Sequence, residues 1–449
     1  MKRSLSRPRR IFAALLVASL APVLSTAPAL AVTGTWAPHV ALSASGPYPA
    51  HLISEPAVGM DAAGGAVSVF RPPNAGTTIA AAFRAAGGTW SAPTRISPAG
   101  ETGTGPDVAV APDGTAVAAW SAHRGSSPAV EVAFRAPGGG FGAPVAVSSG
   151  QRSLGVQVGI DSADRVVVLF TLIDGSNRRH AYAVTGTRTG LSSPTVLSPP
   201  EQDAALADLG VGANGRAVVA WQVASSDPNV SGAGVAINAV RFTPGGGWSA
   251  AQVLGTGTAL WNPSVGVDAA GDAVVAWTDG TPTAQTRVRL TTASPSGAWT
   301  AARTVSGTSG TFQTPDVALD GGGDAVVAWQ TGLGSRSTRI DAVTRRGPSG
   351  GFTAPITISA GDSNPTQPRA AAAPDGSIEV VSWFEAATQV ARVTTTAPGQ
   401  AFAAPITLDR AQSGAAVGVA AGSGGRAAAA WNEALNSAFR FVIAGSTFE

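Results

Sequence analysis

Short apolar runs alternate with tight glycine turns along this chain, and one such pattern recurs. Its clearest copy is residues 263–277, Pro-Ser-Val-Gly-Val-Asp-Ala-Ala-Gly-Asp-Ala-Val-Val-Ala-Trp. Val265 and Val267 stand two apart, the period of a half-buried strand. Asp268-Ala269-Ala270-Gly271 is a tight turn in which glycine supplies positive φ without steric cost. Ala273 to Trp277 is apolar on both sides. A strand with one side in water would alternate apolar and polar residues, so this one is expected to be covered on both.

The copies are found by their closing aromatics: Phe70, Trp120, Phe170, Trp221, Trp277, Trp329, Trp383 and Trp431. These lie 50, 50, 51, 56, 52, 54 and 48 residues apart, a period that predicts the blades of a β-propeller. In most copies a glycine lies six residues before the aromatic. Gly376 lies seven before Trp383, which predicts an extra residue or bulge, and the Phe170 copy carries Asp164 instead. A second hairpin follows each aromatic, and its last strand opens at Trp90, Phe141, Leu191, Trp248, Trp299, Phe352 and Phe402. That makes seven openings for eight copies. Residues 35–43 resemble residues 88–93, so the N-terminal strand is expected to complete the last blade and cover its open edge.

The fold expected is therefore all-β: an eight-bladed β-propeller with four antiparallel strands per blade. Residues 32–449 form one domain, with blades at about 55–99, 106–149, 155–199, 207–255, 263–307, 315–360, 368–409 and 415–447, the last completed by 33–44. Blades cannot bury their sides alone, so the repeat overrides the length prior for several domains. Small residues, as in Ala427 to Ala430, suit strands that converge on an axis, and the closing aromatics are expected as core between blades.

Residues 1–31 have the basic, apolar and small-residue regions of a signal peptide, and Arg9-Arg10-Ile11-Phe12 partly matches a twin-arginine signal. Without that leader 24 basic residues face 27 acidic ones, a net charge of about −3. This predicts neither a nucleic-acid footprint nor a polybasic membrane patch. The chain has no cysteine, so disulfides, thiolate metal sites and a cysteine nucleophile are excluded. No later apolar segment is long enough for a membrane anchor, and the expectation is a free, extracellular monomer.

The pattern Asp-x-x-Gly-x-Ala-Val-x-x-Trp resembles repeats of bacterial secreted β-propeller proteins, and the resemblance spans essentially the whole chain after the leader. It implies adhesion, glycan binding or a scaffold. The chain is more distantly similar to lectin-like propellers and to sialidase-like propellers with their Ser-x-Asp-x-Gly-x-x-Trp box. Here Gly271 stands six residues before Trp277 rather than three. The tyrosine nucleophile of a sialidase-like site would have to be Tyr48 or Tyr182, and neither has a recognisable glutamate partner.

The loops after each aromatic strand, and those leading into the next blade, share one side of the ring and vary most. Binding concentrates in such loops. Trp261 and Phe312 are the ligand candidates there, with His51, His123 and Arg124 nearby. Their rings suit stacking on a sugar or anchoring a protein, or else packing between blades. The strand starts carry Asp107, Gln157, Asp208, Asp316 and Arg369, expected at the mouth of a central channel as a ligand site or as a solvated, capped rim. Asp279, Glu385 and Glu433 each follow their aromatic by two residues, yet no spacing singles out the pair that glycoside hydrolysis needs. Asp268 with Asp272, and Asp320 with Asp324, offer too few oxygens for calcium. The four histidines, His39, His51, His123 and His180, show no metal-ligand spacing. No cofactor, metal or catalytic triad is expected. The primary reading is a secreted, non-catalytic binder of a glycan or protein. The alternative is an extracellular carbohydrate-active enzyme, a glycosidase or lyase, on the same frame.

Overall fold

The computed structural model describes residues 34–47, 56–73, 77–124, 127–224, 234–280, 286–307, 310–332, 338–359, 363–397, 399–411, 416–436 and 440–449. The leader, His51 and Tyr48 lie outside them. Every regular element among the described residues is a β-strand. The strands form seven antiparallel sheets, and within each the strands neighbour one another largely in chain order. Ala57–Met60, Ala66–Phe70, Ala80–Arg84 and Thr94–Arg95 make the first sheet, and the same meander follows from Thr102–Val110 to Val145–Ser149. One sheet has eight strands, because the single strand Gln252–Val267 pairs with Gly234–Thr243 through its first half and with Ala273–Asp279 through its second.

The second strand of each repeat is the most buried element, as its two-sided apolar sequence requires. Ala66–Phe70 is buried at every residue, and Trp120, Trp221, Trp277, Trp329, Trp383 and Trp431 are all fully buried. The core lies between neighbouring sheets. Trp120 packs on Val69, Ile79 and Ala81 of the preceding sheet, and Trp329 packs on Val274, Ala276 and Leu290 of its own predecessor. The first strands of successive sheets touch in chain order, and Gly418–Gly422 touches both Pro365–Ala372 and Ala57–Met60. Residues from the two ends of the chain share a sheet: Val40 pairs with Gly445, Ala41 with Ala444, and Trp36 forms a bridge with Phe448. Leu42 is 1% exposed and packs with Ile443 and Phe70.

The Asp-x-x-Gly turns close through the aspartate. Asp268 Oδ1 accepts the amides of Ala270, Gly271 and Asp272 at 2.8–2.9 Å, and burial pushes its carboxyl pKa up against those bonds. Glycine is needed in these turns for two reasons at once. Gly323 has φ +83°, and a Cβ there would lie 2.8 Å from Asp268 Oδ2 of the preceding turn. Gly376 repeats this against Asp320, with a Cβ at 2.7 Å. The turn at Gly376 is one residue longer than its counterparts. Ala373 N donates to Ile378 O, whereas Asp268 N donates to Asp272 O.

Candidate functional site

A bulge recurs near the start of the first strand in six repeats. The register with the second strand slips between Thr104 and Asp107, Leu154 and Val156, Ala205 and Asp208, Trp261 and Ser264, Gln313 and Asp316, and Thr366 and Arg369. Each bulge holds one residue in the left-handed region: Gly105 at φ +55°, Gly155 at +66°, Leu206 at +47°, Asn262 at +49°, Thr314 at +47° and Gln367 at +53°. Glycine and asparagine adopt this conformation readily. Leu206 and the β-branched Thr314 are strained there, at roughly 1–3 kcal/mol each. The residue types share nothing, so the bulges are invisible in composition. The available signal is the proline that follows in four copies, Pro106, Pro263, Pro315 and Pro368, since proline inside a strand marks a bulge or an edge.

Two residues after each left-handed position stand Asp107, Gln157, Asp208, Ser264, Asp316 and Arg369. Asp107, Gln157, Asp208 and Arg369 line one cavity of about 710 Å³, together with Arg71. Gln157, Asp208, Asp316 and Arg369 line a second, of about 390 Å³, with Leu206, Asn262, Thr314 and Gln367 beside them. Shared walls make these one polar space between the first strands. The turn ends of the same strands surround a smaller, mainly apolar cavity of about 250 Å³, lined by Met60, Val110, Ile160, Val211, Val267 and Leu319.

The carboxylates tie neighbouring first strands together. Asp107 accepts its own neighbour's amide, Val108 N, at 2.9 Å through Oδ1, and Val158 N of the next sheet at 2.8 Å through Oδ2. Asp208 accepts Gln157 Nε2 at 2.8 Å and Val265 N at 2.7 Å. Asp316 accepts Ala370 N at 2.6 Å, and Ser264 Oγ accepts Val317 N at 3.0 Å. Asp107 and Asp208 are half-buried and crowded by protein. Burial pushes Asp107 up to about 6 against its two amide bonds. Burial, with Asp316 nearby, pushes Asp208 up to about 6 as well.

A carboxyl titrating near 6 has the poise of a general acid. Here, however, all four oxygens of Asp107 and Asp208 already accept an internal N–H. The free valences belong to other groups. Gln157 Oε1, Gln367 Oε1 and Thr314 Oγ1 are buried and have no hydrogen-bond partner among the described residues. Buried polar atoms are normally satisfied, so three orphans around one cavity need an explanation.

The loop candidates fare differently. Trp261 lies on the strand Gln252–Val267 and is half-buried, and Phe312 lies on Thr311–Leu319. Both strands run further than their sequences indicate. Phe312 is 2% exposed among Val288, Leu290, Val317 and Trp329, and Thr286 Oγ1 donates to its carbonyl at 2.7 Å. That burial leaves its ring no open face for a ligand and corrects the expectation of stacking. His123 is half-buried on the strand Ala116–Arg124, which Arg124 ends. Glu385 is 1% exposed and bonded to Thr388 at 3.0 Å and Arg392 at 3.1 Å. Asp279 pairs with Arg289 at 3.2 Å. Tyr182 stacks on Phe170 with centroids 5.9 Å apart, as a core residue would.

Sequence spacing missed one group. His39 Nδ1 lies 2.9 Å from Asp409 Oδ2, and its Nε2 lies 3.3 Å from Glu433 Oε2. Each ring nitrogen thus faces a carboxylate oxygen. The three residues come from distant segments: the pairing of Val40 with Gly445 sets His39 in the sheet that holds Glu433, and Asp409 comes from the strand Ile406–Arg410 of the preceding sheet.

No protein-family model and no curated protein matches the sequence. Solved structures do. The BP39L lectin from Burkholderia pseudomallei aligns with a TM-score of 0.54 at 14% identity, over 82% of this chain and 100% of that chain. A PL25 polysaccharide lyase, an ulvan lyase, aligns at 0.50 and 12% identity, over 77% of this chain and 93% of that chain. The same lyase bound to -[GlcA(1-4)Rha3S]- gives 0.50 and 12% over 78% and 93%. At such identities the likeness is one of fold, and it identifies an all-β, propeller-like assembly of four-stranded sheets.

Proposed function

We propose that this chain is a secreted, non-catalytic carbohydrate-binding propeller. It has eight blades over residues 32–449, the last completed by the N-terminal strand, and residues 1–31 direct export. The contacts between successive first strands and the pairing of Val40 with Gly445 support the ring. The binding side is the one on which the polar axial mouth opens, with Trp261 and His123 among the surrounding residues. The lectin and lyase likenesses support a carbohydrate as the ligand.

One observation carries the choice of binding over cleavage: each oxygen of the two perturbed mouth carboxyls already holds an internal N–H. A hydrolase or lyase would keep one of them turned to its substrate. The enzyme reading rests on the pKa of about 6 at Asp107 and Asp208. The test is a glycan array with the protein lacking residues 1–31, followed by assays for reducing ends and unsaturated products on every glycan bound. Binding without turnover is expected. Turnover abolished by Asp208→Asn would replace this reading with the enzymatic one.

A further inference from the structure

We infer that the axial mouth is a pocket for one compact, neutral, hydroxyl-rich unit, a single hexose ring or hexitol. This deepens, and rests on, the carbohydrate reading above. The argument starts from unmet acceptors. Gln157 Nε2 donates to Asp208 Oδ1 at 2.8 Å, which fixes the amide and leaves Oε1 as the orphan. Among the described residues Gln367 Oε1 is a second buried oxygen without a donor, and Thr314 Oγ1 is a hydroxyl without a partner. All three residues line the 390 Å³ cavity with Asp208, Asp316 and Arg369. The 390 Å³ cavity by itself lies in the size range of small-ligand pockets, and it opens into the 710 Å³ space.

A ligand that satisfies these walls must bring hydrogen-bond donors to the amide oxygens of Gln157 and Gln367 and also pair with the Thr314 hydroxyl. A sugar hydroxyl does both. An aromatic or aliphatic ligand would leave the orphans unpaired. A hexuronate would bring its charge into a joint space where three carboxyl groups, Asp107, Asp208 and Asp316, outnumber the two guanidinium groups of Arg71 and Arg369. The backbone supports the same assignment. Thr314 and Gln367 occupy left-handed positions, and a β-branched residue held there at φ +47° is strain of the kind found at ligand clamps.

Calorimetry on the protein lacking residues 1–31, with free hexoses, hexitols and hexuronates as probes, tests the inference beside the glycan array. At least one neutral hexose or hexitol is expected to bind, and hexuronates at least tenfold more weakly. Gln367→Ala is expected to weaken binding tenfold or more without loss of folding. Thr314→Gly is expected to raise the melting temperature, by releasing strain, while it weakens binding. A residue with only a structural role would not part those two readouts. Gln157→Ala should act like Gln367→Ala, but it also strips a donor from Asp208, so Gln367→Ala decides. If array glycans bind but Gln367→Ala and Thr314→Gly leave their affinity unchanged, the axial pocket is wrong and the carbohydrate reading stands. Hexuronates that bind as tightly as hexoses would overturn the neutral assignment. If neither array glycans nor free sugars bind, both readings fall.

Discussion

Asp208 Oδ2 accepts the amide of Val265 at 2.7 Å across 57 residues of chain. The bond joins the first strands of two successive repeats and is matched by Asp107 with Val158 and by Asp316 with Ala370. Asp208→Ala would orphan the Val265 amide and release Gln157, at a cost of about 1–3 kcal/mol. Asp208→Asn keeps an acceptor and removes a buried charge, so its loss is expected to be less than half as large. Urea unfolding of both variants at pH 7 measures the difference.

The pH dependence of stability has an unusual source. In seven repeats the fourth residue before the closing aromatic is alanine or valine, but before Trp383 it is Glu379. It is 2% exposed, and burial, with Asp324 and Asp320 adding to it, pushes its carboxyl up to about 8. Asp107 and Asp208, at about 6, are raised too. A raised carboxyl binds its proton more tightly in the folded state. Its contribution is full below the unfolded value near 4 and falls as pH climbs through the folded one. Thermal melts are therefore expected to decline from about pH 4 to about pH 8. Glu379→Gln should flatten the upper half of that decline and regain on the order of 4 kcal/mol at pH 8.5.

Glycine's two roles in the turns can be separated. Gly323 and Gly347 both have positive φ, at +83° and +59°, but a Cβ meets Asp268 Oδ2 at 2.8 Å at the first and nothing within 4 Å at the second. Gly347→Ala is expected to cost about 1 kcal/mol for conformation alone. Gly323→Ala should cost roughly twice that or more, because Asp268 or Pro348 must also shift. Chemical denaturation of the two variants side by side checks the ratio.

The buried indoles are unequal. Trp120 Nε1 donates to Glu101 Oε1 at 2.9 Å, whereas Trp277 Nε1 has no partner among the described residues. Trp120→Phe forfeits a charge-assisted bond, so it should cost about 1.5–3 kcal/mol more than Trp277→Phe. Truncation of either to alanine should cost about 3–5 kcal/mol. Melting temperatures of the four variants test both statements.

The strands and turns were legible because each leaves a chemical mark. Ala273 to Trp277 is apolar on both sides, and Gly271 marks a positive-φ turn. Asp107, Asp208, Asp316 and Arg369 could be placed together because they hold one register position. The bulges beside them could not, since Leu206, Asn262, Thr314 and Gln367 have nothing in common but a backbone conformation forced by their surroundings. The sequence leaves Phe312 open between a loop ligand site and packing between blades for a related reason: nothing in its neighbourhood shows that a strand has already begun at Thr311. The orphaned oxygens of Gln157 and Gln367 depend on which donors stand nearby in space, and sequence spacing does not carry that information.

The unbroken strand Gln252–Val267 has a practical consequence. Its single backbone carries hydrogen bonds of two repeats, so those repeats have no joint at which to part. Amide exchange along it should report one shared opening event instead of two. A tag or loop grafted within it would injure both neighbours at once.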